Sequence, residues 1–154
     1  MSLLIRDLLP QDIPALEQLM CQSFDPVFGE AWSPQDLAST LNLPNICPRL
    51  SCHGDAICGF CITYLLPDAA ELLLVAVGQR ARRQGIARRL VLDASELARK
   101  AHLPSLFLEV REDNMPARSL YESLGFAMIG RRMGYYKGKD KVLRNAVTLR
   151  LPLC

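Results

Sequence analysis

The chain has 154 residues, half of them hydrophobic and 22% charged, with a formal net charge of +2. One domain spanning residues 1–154 is expected, large enough to bury a core, and so small a net charge argues against nucleic acid as a main partner. The apolar runs are too short for a membrane helix and Met1-Ser2-Leu3-Leu4-Ile5-Arg6 has no signal-peptide layout, so a cytoplasmic protein with no membrane partner is expected.

In chain order, Leu3 to Asp7 reads as a strand, and Gln11 to Phe24 carries Ile13, Leu16 and Met20 at helical spacing. Ser33-Pro34-Gln35-Asp36 starts a second helix, with proline in its first turn and an acid at the third position, running to about Leu41. Asn42 to Pro48 is expected to be a loop. Strands near Arg49–His53 and Ala56–Leu66 follow, joined by a hairpin turn at Gly54-Asp55. Pro67-Asp68 then turns the chain into the strand Ala70–Val77.

A long helix from Ile86 to about Ala101 is marked by Ile86, Leu90, Val91, Ala94 and Leu97, with Lys100 and His102 suiting its C-terminal end. His102 is read as a helix-end residue. The strand Ser105–Arg111, a helix from Met115 to Leu124 stopped by Gly125, and strands Phe126–Met133 and Ala146–Leu151 complete the chain. Strand–helix–strand in the middle with hairpins on either side predicts an α/β fold: a mixed, mostly antiparallel central sheet with helices on both faces. A ligand is expected where the central strands part.

Six cysteines are present, and Cys58-Gly59-Phe60-Cys61 has a C-x-x-C spacing. It lies inside a strand, where residues three apart point to opposite faces, so these thiols are expected to be inert core residues with no metal between them. Cys52-His53 lacks a second, suitably spaced pair. Cys154 is read as a terminal thiol open to oxidation.

The segment Arg82-Arg83-Gln84-Gly85-Ile86-Ala87 joins the run Leu72–Val77 to the long helix. A helix start offers unpaired N–H groups and partial positive charge, which favour a phosphate. Gly85 lets backbone approach a ligand closely, Ala87 keeps the first turn open, and Arg80, Arg82 and Arg83 add charge. No Gly-Lys-Ser/Thr follows, and the three glycines of a dinucleotide fingerprint are missing. The hexapeptide resembles the Arg/Gln-x-x-Gly-x-Gly/Ala signature of the Gcn5-related N-acetyltransferases (GNAT). The block from Glu109 to Phe126, with Glu109-Val110-Arg111, Asn114, Ala117, Leu120-Tyr121 and Gly125-Phe126, is similar to that family's second long motif. Arg131-Arg132, Tyr135-Tyr136 and Ala31-Trp32-Ser33 narrow the resemblance to the members that acetylate alanine at ribosomal-protein N-termini.

The resemblance implies an acyltransferase fold, acetyl-coenzyme A as cosubstrate, no metal, and a protein N-terminus as acceptor, a ribosomal protein starting with alanine foremost. It makes Glu109 the base that frees the amine's lone pair, and Tyr121 the acid that protonates the departing thiolate. Glu71 resembles the base-bearing position of the histone-type members and ranks second, alone or acting with Glu109 through water. The resemblance also gives Arg82, Arg83, Gln84, Gly85, Ile86 and Ala87 to the pyrophosphate, Asn114 to the pantetheine arm, and the backbone of Val75, Ala76 and Val77 to the thioester carbonyl. Trp32, Tyr135 and Tyr136 become candidates for the acceptor groove.

Structural roles stay open for several of these: Glu109 paired with Arg111, Tyr121, Trp32, Tyr135 and Tyr136 as core, Asn114 as a helix cap. An acidic pair expected after the tyrosines is replaced by Arg144-Asn145, beside Lys137, Lys139 and Lys141. That departure leaves open an enzyme acting on lysines or small amines. A coenzyme-A-binding module without transfer is the reading from another class.

Overall fold

Alternating apolar residues draw seven strands into one sheet in the computed structural model, which describes residues 2–153. The strands are β1 (Leu3–Asp7), β2 (Ile46–His53), β3 (Ala56–Leu65), β4 (Ala70–Val77), β5 (Ser105–Arg111), β6 (Ala127–Lys137) and β7 (Leu143–Pro152). They lie in the order β1-β2-β3-β4-β5-β7-β6. Every neighbouring pair is antiparallel except β4 and β5, which are parallel. The helices are α1 (Ile13–Ser23), α2 (Pro34–Leu41), α3 (Ile86–Lys100) and α4 (Met115–Ser123).

Three of the helices begin or end as their sequence dictates. Ser33 caps α2, its Oγ accepting from the Asp36 amide at 3.1 Å, and Asn114 caps α4, its Oδ1 accepting from the Ala117 amide at 3.3 Å. His102 lies just past α3 with φ +60°, and Gly125 follows α4 with φ +101°.

The sheet separates two cores. On one face Ile86, Leu90, Val91, Ala94 and Ala98 of α3, with Tyr121 and Phe126, pack on Leu72, Val77, Leu106, Leu108 and Val110. On the other, Leu16, Leu19 and Met20 of α1 and Leu37 of α2 pack on Leu50, Phe60, Ile62 and Ala76. Fully burying one such large side chain contributes about 1.5–3 kcal/mol. Helices therefore cover both faces, as the element order predicted.

Three sequence expectations need correction. Residues 46–48, expected in a loop, pair as strand: Ile46 lies opposite Tyr64 and Pro48 opposite Ile62. The last hairpin is longer than expected, its strands running to Lys137 and from Leu143, because Tyr136–Lys137 still pair with Leu143–Arg144 beyond a bulge. The third concerns Cys58 and Cys61. A register shift opposite Ser51 and Cys52 inserts a bulge at Cys58 and reverses the alternation, so both thiols face the α3 core. They stay free: Cys58 Sγ donates to the Ser51 carbonyl at 3.3 Å, and Cys61 Sγ lies 3.7 Å from Thr63 Oγ1, with burial pushing its pKa up to about 12. The expectation for Cys154 lies outside the described residues.

A second bulge matters more for the site. Pairing between β3 and β4 shifts at Leu73, and β4 stays with β5 only at Ala70–Leu106 and Glu71–Phe107. A bulge bends its strand. From there the two central strands part.

Gly59 sets how closely the sheet takes α3. A Cβ there would lie 2.7 Å from Ser51 Oγ, 2.9 Å from the Ala76 carbonyl oxygen and 3.3 Å from Leu90 Cδ1. Two of those neighbours are core and one is backbone. Gly59→Ala is expected to destabilise the fold by about 1–3 kcal/mol, seen in urea as a lower midpoint at unchanged slope.

Candidate active site

Where β4 and β5 part, a cleft of about 1170 Å³ opens through the sheet. Its lining includes Glu71, Val75–Val77, Arg82, Arg83, Gly85–Ala87, Glu109, Asn114, Tyr121, Trp32, Tyr135 and Tyr136. The site residues singled out from the sequence thus meet in a single cavity, except Arg80 and Gln84. Gln84 Nε2 instead donates to the Arg80 carbonyl at 3.5 Å.

On the α3 and α4 face the cleft is suited to phosphate. Gly85 precedes α3 with φ +75°, no side chain caps that helix start, and no atom lies within 4 Å of where a Cβ on Gly85 would stand. Open space beside uncapped N–H groups is the arrangement an anion needs. Arg83 is exposed, with φ +63°. Arg82 is committed inward: its Nε donates to the Val77 carbonyl at 3.2 Å and an Nη to the Ser23 carbonyl at 2.9 Å, tying β4 to the end of α1. Arg88, not singled out from the sequence, also lines the cleft and donates to Ser123 Oγ at 3.2 Å.

Tyr121 lies on this same face, 6% exposed, its ring edge-on to Phe126 at 5.6 Å. It is at once a core aromatic and a cleft residue. Burial pushes its phenol pKa well above the usual value, which keeps the proton in place at neutral pH.

Glu109 belongs to the opposite face. Leu108 and Val110 point to the α3 core, so the alternation sends Phe107, Glu109 and Arg111 toward α1 and α2. Glu109 Oε1 lies 3.2 Å from Arg132 Nε. Arg111, the partner considered from the sequence, is engaged elsewhere, with Glu30 at 2.6 Å and with Asp113. Glu71 is half-buried, its carboxyl pKa raised first by burial and then by the charge of Glu109, with Arg132 opposing.

The far wall carries the aromatics. Trp32 packs partly on the α1 core while lining the cleft. Tyr135 and Tyr136 meet edge-on at 5.0 Å, and burial pushes Tyr136 up to about 12. A segment the sequence gave no sign of closes this side. Phe28 lies 3.5 Å beneath the Arg111 guanidinium and 4.8 Å from that of Arg144, and Glu30 pairs with Arg111. Arg144 is itself held by Asp140 at 2.7 Å and by Asp113 at 3.6 Å. Only a three-dimensional view joins residues 81 positions apart, so no local signal marked Glu30.

The half-open parallel strand pair beside a basic helix start belongs to a GNAT-like fold. The chain belongs to the acetyltransferase (GNAT) family, whose model matches residues 13–126. It is therefore an acetyl-coenzyme-A-dependent N-acetyltransferase. The chain is 34% identical, over 79% of its length and 81% of the relative's, to the [ribosomal protein bS18]-alanine N-acetyltransferase of Escherichia coli K12. It is 36% identical to the Haemophilus ducreyi enzyme of that name, over 64% of this chain and 68% of the other. The crystal structure of the ribosomal-protein-S18-alanine N-acetyltransferase from Escherichia coli superposes with a TM-score of 0.89 at 29% identity, covering 99% of this chain and 94% of that one. A NatC complex bound to Gag peptide and CoA shares the fold, with a TM-score of 0.83 at 22% identity, covering all of both chains. No helix among the described residues is long and apolar enough to cross a membrane.

The Arg111–Glu30 pair is nearly withdrawn from water, with side chains 9% and 19% exposed. Removing one partner strands the other's charge. Arg111→Leu is expected to cost about 3 kcal/mol of stability and to raise the acceptor KM through loss of the Phe28 segment. Denaturant titration and steady-state kinetics check the two effects separately.

Proposed function

We propose that this enzyme moves an acetyl group from acetyl-coenzyme A to the α-amine of a protein N-terminus, with an alanine-first ribosomal protein as the preferred acceptor. The observation that carries the reading is the placement of Glu109 and Tyr121 on opposite faces of the sheet at the gap between β4 and β5. Base and acid then address the two sides of one acyl group. The acceptor follows from the relatives, which are named for that substrate. A ribosomal acceptor would place the reaction in the cytoplasm.

Acetyl-coenzyme A supplies an acetyl thioester. The start of α3 and Arg83 hold its pyrophosphate, and the Asn114 side-chain amide meets the pantetheine arm while its Oδ1 caps α4. Beyond Glu71 the β5-facing edge of β4 is free of strand pairing, so the amides around Val75–Val77 can take pantetheine as an added strand and polarise the thioester carbonyl. Trp32, Tyr135 and Tyr136 line the way in for the peptide. Glu109 accepts the proton of the α-amine as the nitrogen bonds to the acetyl carbon. Tyr121 gives its proton to sulfur as the carbon–sulfur bond opens, and solvent restores both groups.

Glu109→Gln and Tyr121→Phe are each expected to lower turnover by roughly 10²–10⁴-fold while leaving acetyl-coenzyme A affinity near wild type. Unchanged turnover in both would refute the role assignment. The acceptor is tested by mass spectrometry of a peptide pool incubated with enzyme and acetyl-coenzyme A. The pool pairs free α-amine peptides, alanine-first among them, with α-blocked peptides containing lysine. Acetylation confined to alanine-first α-amines is expected. Acetylated lysines would keep the enzyme class and overturn the acceptor.

A further inference from the structure

Two carboxylates lie on the same side of the cleft, close enough for the charge of Glu109 to act on Glu71. Glu71 pairs in register with Phe107, and Glu109 stands two residues along β5 on the same face as Phe107. Like charges so placed oppose each other's ionisation. Burial already disfavours the charge on Glu71. A base that must take a proton from an ammonium works only if one carboxylate stays reliably ionised.

The cations nearby are mostly spent. Arg111, on the strand that carries Glu109, is held by Glu30 and Asp113. Arg150 of β7 lies over the Phe107 ring at 5.9 Å, and Thr148 is the β7 residue opposite Glu109. Tyr136 of β6 faces the same carboxylate with its phenol protonated. Among the described residues Arg132 is the cation that bears on both acids: it contacts Glu109 at 3.2 Å and lowers the pKa of Glu71.

Arg132 is also held in place from behind. Its guanidinium carbon sits 4.8 Å from the centre of the Tyr135 ring. Pairing of β6 with β7 slips between Arg132 and Tyr136, with Gly134 at φ +61° and its amide donating to Asn145 Oδ1 at 2.9 Å. This bulge brings Tyr135 back beside Arg132, so ring and guanidinium stack. More than half of the Arg132 side chain is exposed, so its contact with Glu109 is a weak stabiliser of the fold.

We propose that Arg132 is a positioning residue for acetyl transfer: it keeps Glu109 ionised against Glu71 and aims that carboxylate at the gap between β4 and β5. The proposal rests on Glu109 as the base. It adds that the two carboxylates have unequal roles because one cation, anchored by the Gly134 bulge, sides with Glu109.

The test follows the Glu109 carboxyl carbon by 13C NMR across pH in wild type, Arg132→Gln, Arg132→Lys and Arg132→Gln with Glu71→Gln, the resonance assigned by its loss in Glu109→Gln. Activity is read in parallel as kcat/KM per neutral amine, and acetyl-coenzyme A affinity by calorimetry reports intact folding. In Arg132→Gln the Glu109 transition is expected to move up, with kcat/KM falling more at the acid end of the profile than at pH 8. Arg132→Lys should recover most of the shift, and adding Glu71→Gln should return the transition toward wild type. An unmoved Glu109 transition overturns the proposal, as does a moved one with kcat/KM lowered equally at every pH. Full turnover in Glu109→Gln overturns the base assignment instead, a result that the NMR arm cannot be mistaken for.

Discussion

Parallel strands β4 and β5 pair for two residues each and then separate, and every feature of the site depends on that separation. Unpaired edge amides inside a protein are costly unless something meets them. Here the open edge faces a cleft of about 1170 Å³, where a bound amide chain can replace the missing strand. The bulge at Leu73 makes the separation a fixed property of the backbone, since β3 continues to hold β4 beyond it. The gap also gives the two faces of one sheet access to a single reacting group. Antiparallel pairing throughout would seal Glu109 from Tyr121.

The two walls of the cleft are built differently. The start of α3 offers glycine, open space and uncapped amides, with the exposed Arg83 beside them. The opposite wall works through side-chain charge: Glu30, Arg111, Asp113, Arg144 and Asp140 form a chain of ion pairs around the Phe28 ring.

This difference explains what was legible in the sequence. The loop from Arg82 to Ala87 and the block from Glu109 to Phe126 are continuous, so their spacing carries their geometry, and strands and helices followed from periodicity to within a few residues. Features made by distant residues were not legible. Glu109 meets Arg132 and not Arg111 because Arg111 is taken by Glu30, 81 positions away. Bulges were equally hidden. One extra residue at Cys58 reversed which face its thiol takes, and one at Leu73 opened the cleft, yet neither changes the pattern of residue types. Arg82 reads as a phosphate ligand in the hexapeptide but spends its side chain on two carbonyls.

The replacement of an acidic pair by Arg144-Asn145 can now be given a physical meaning. Arg144 adds no free positive charge to the cleft, because Asp140 and Asp113 neutralise it and Phe28 takes its flat face. Asn145 supplies the acceptor for the Gly134 amide, a bond that needs an oxygen but no charge. A carboxylate there would accept the same amide, and would also add a negative charge close to Glu112, whose carboxylate is already paired with Arg131 and whose amide bonds the Asn145 carbonyl. Neutral asparagine keeps the bulge without a second acid beside Glu112. The departure thus preserves the bulge behind Tyr135 and Tyr136 while sparing Glu112 a like charge.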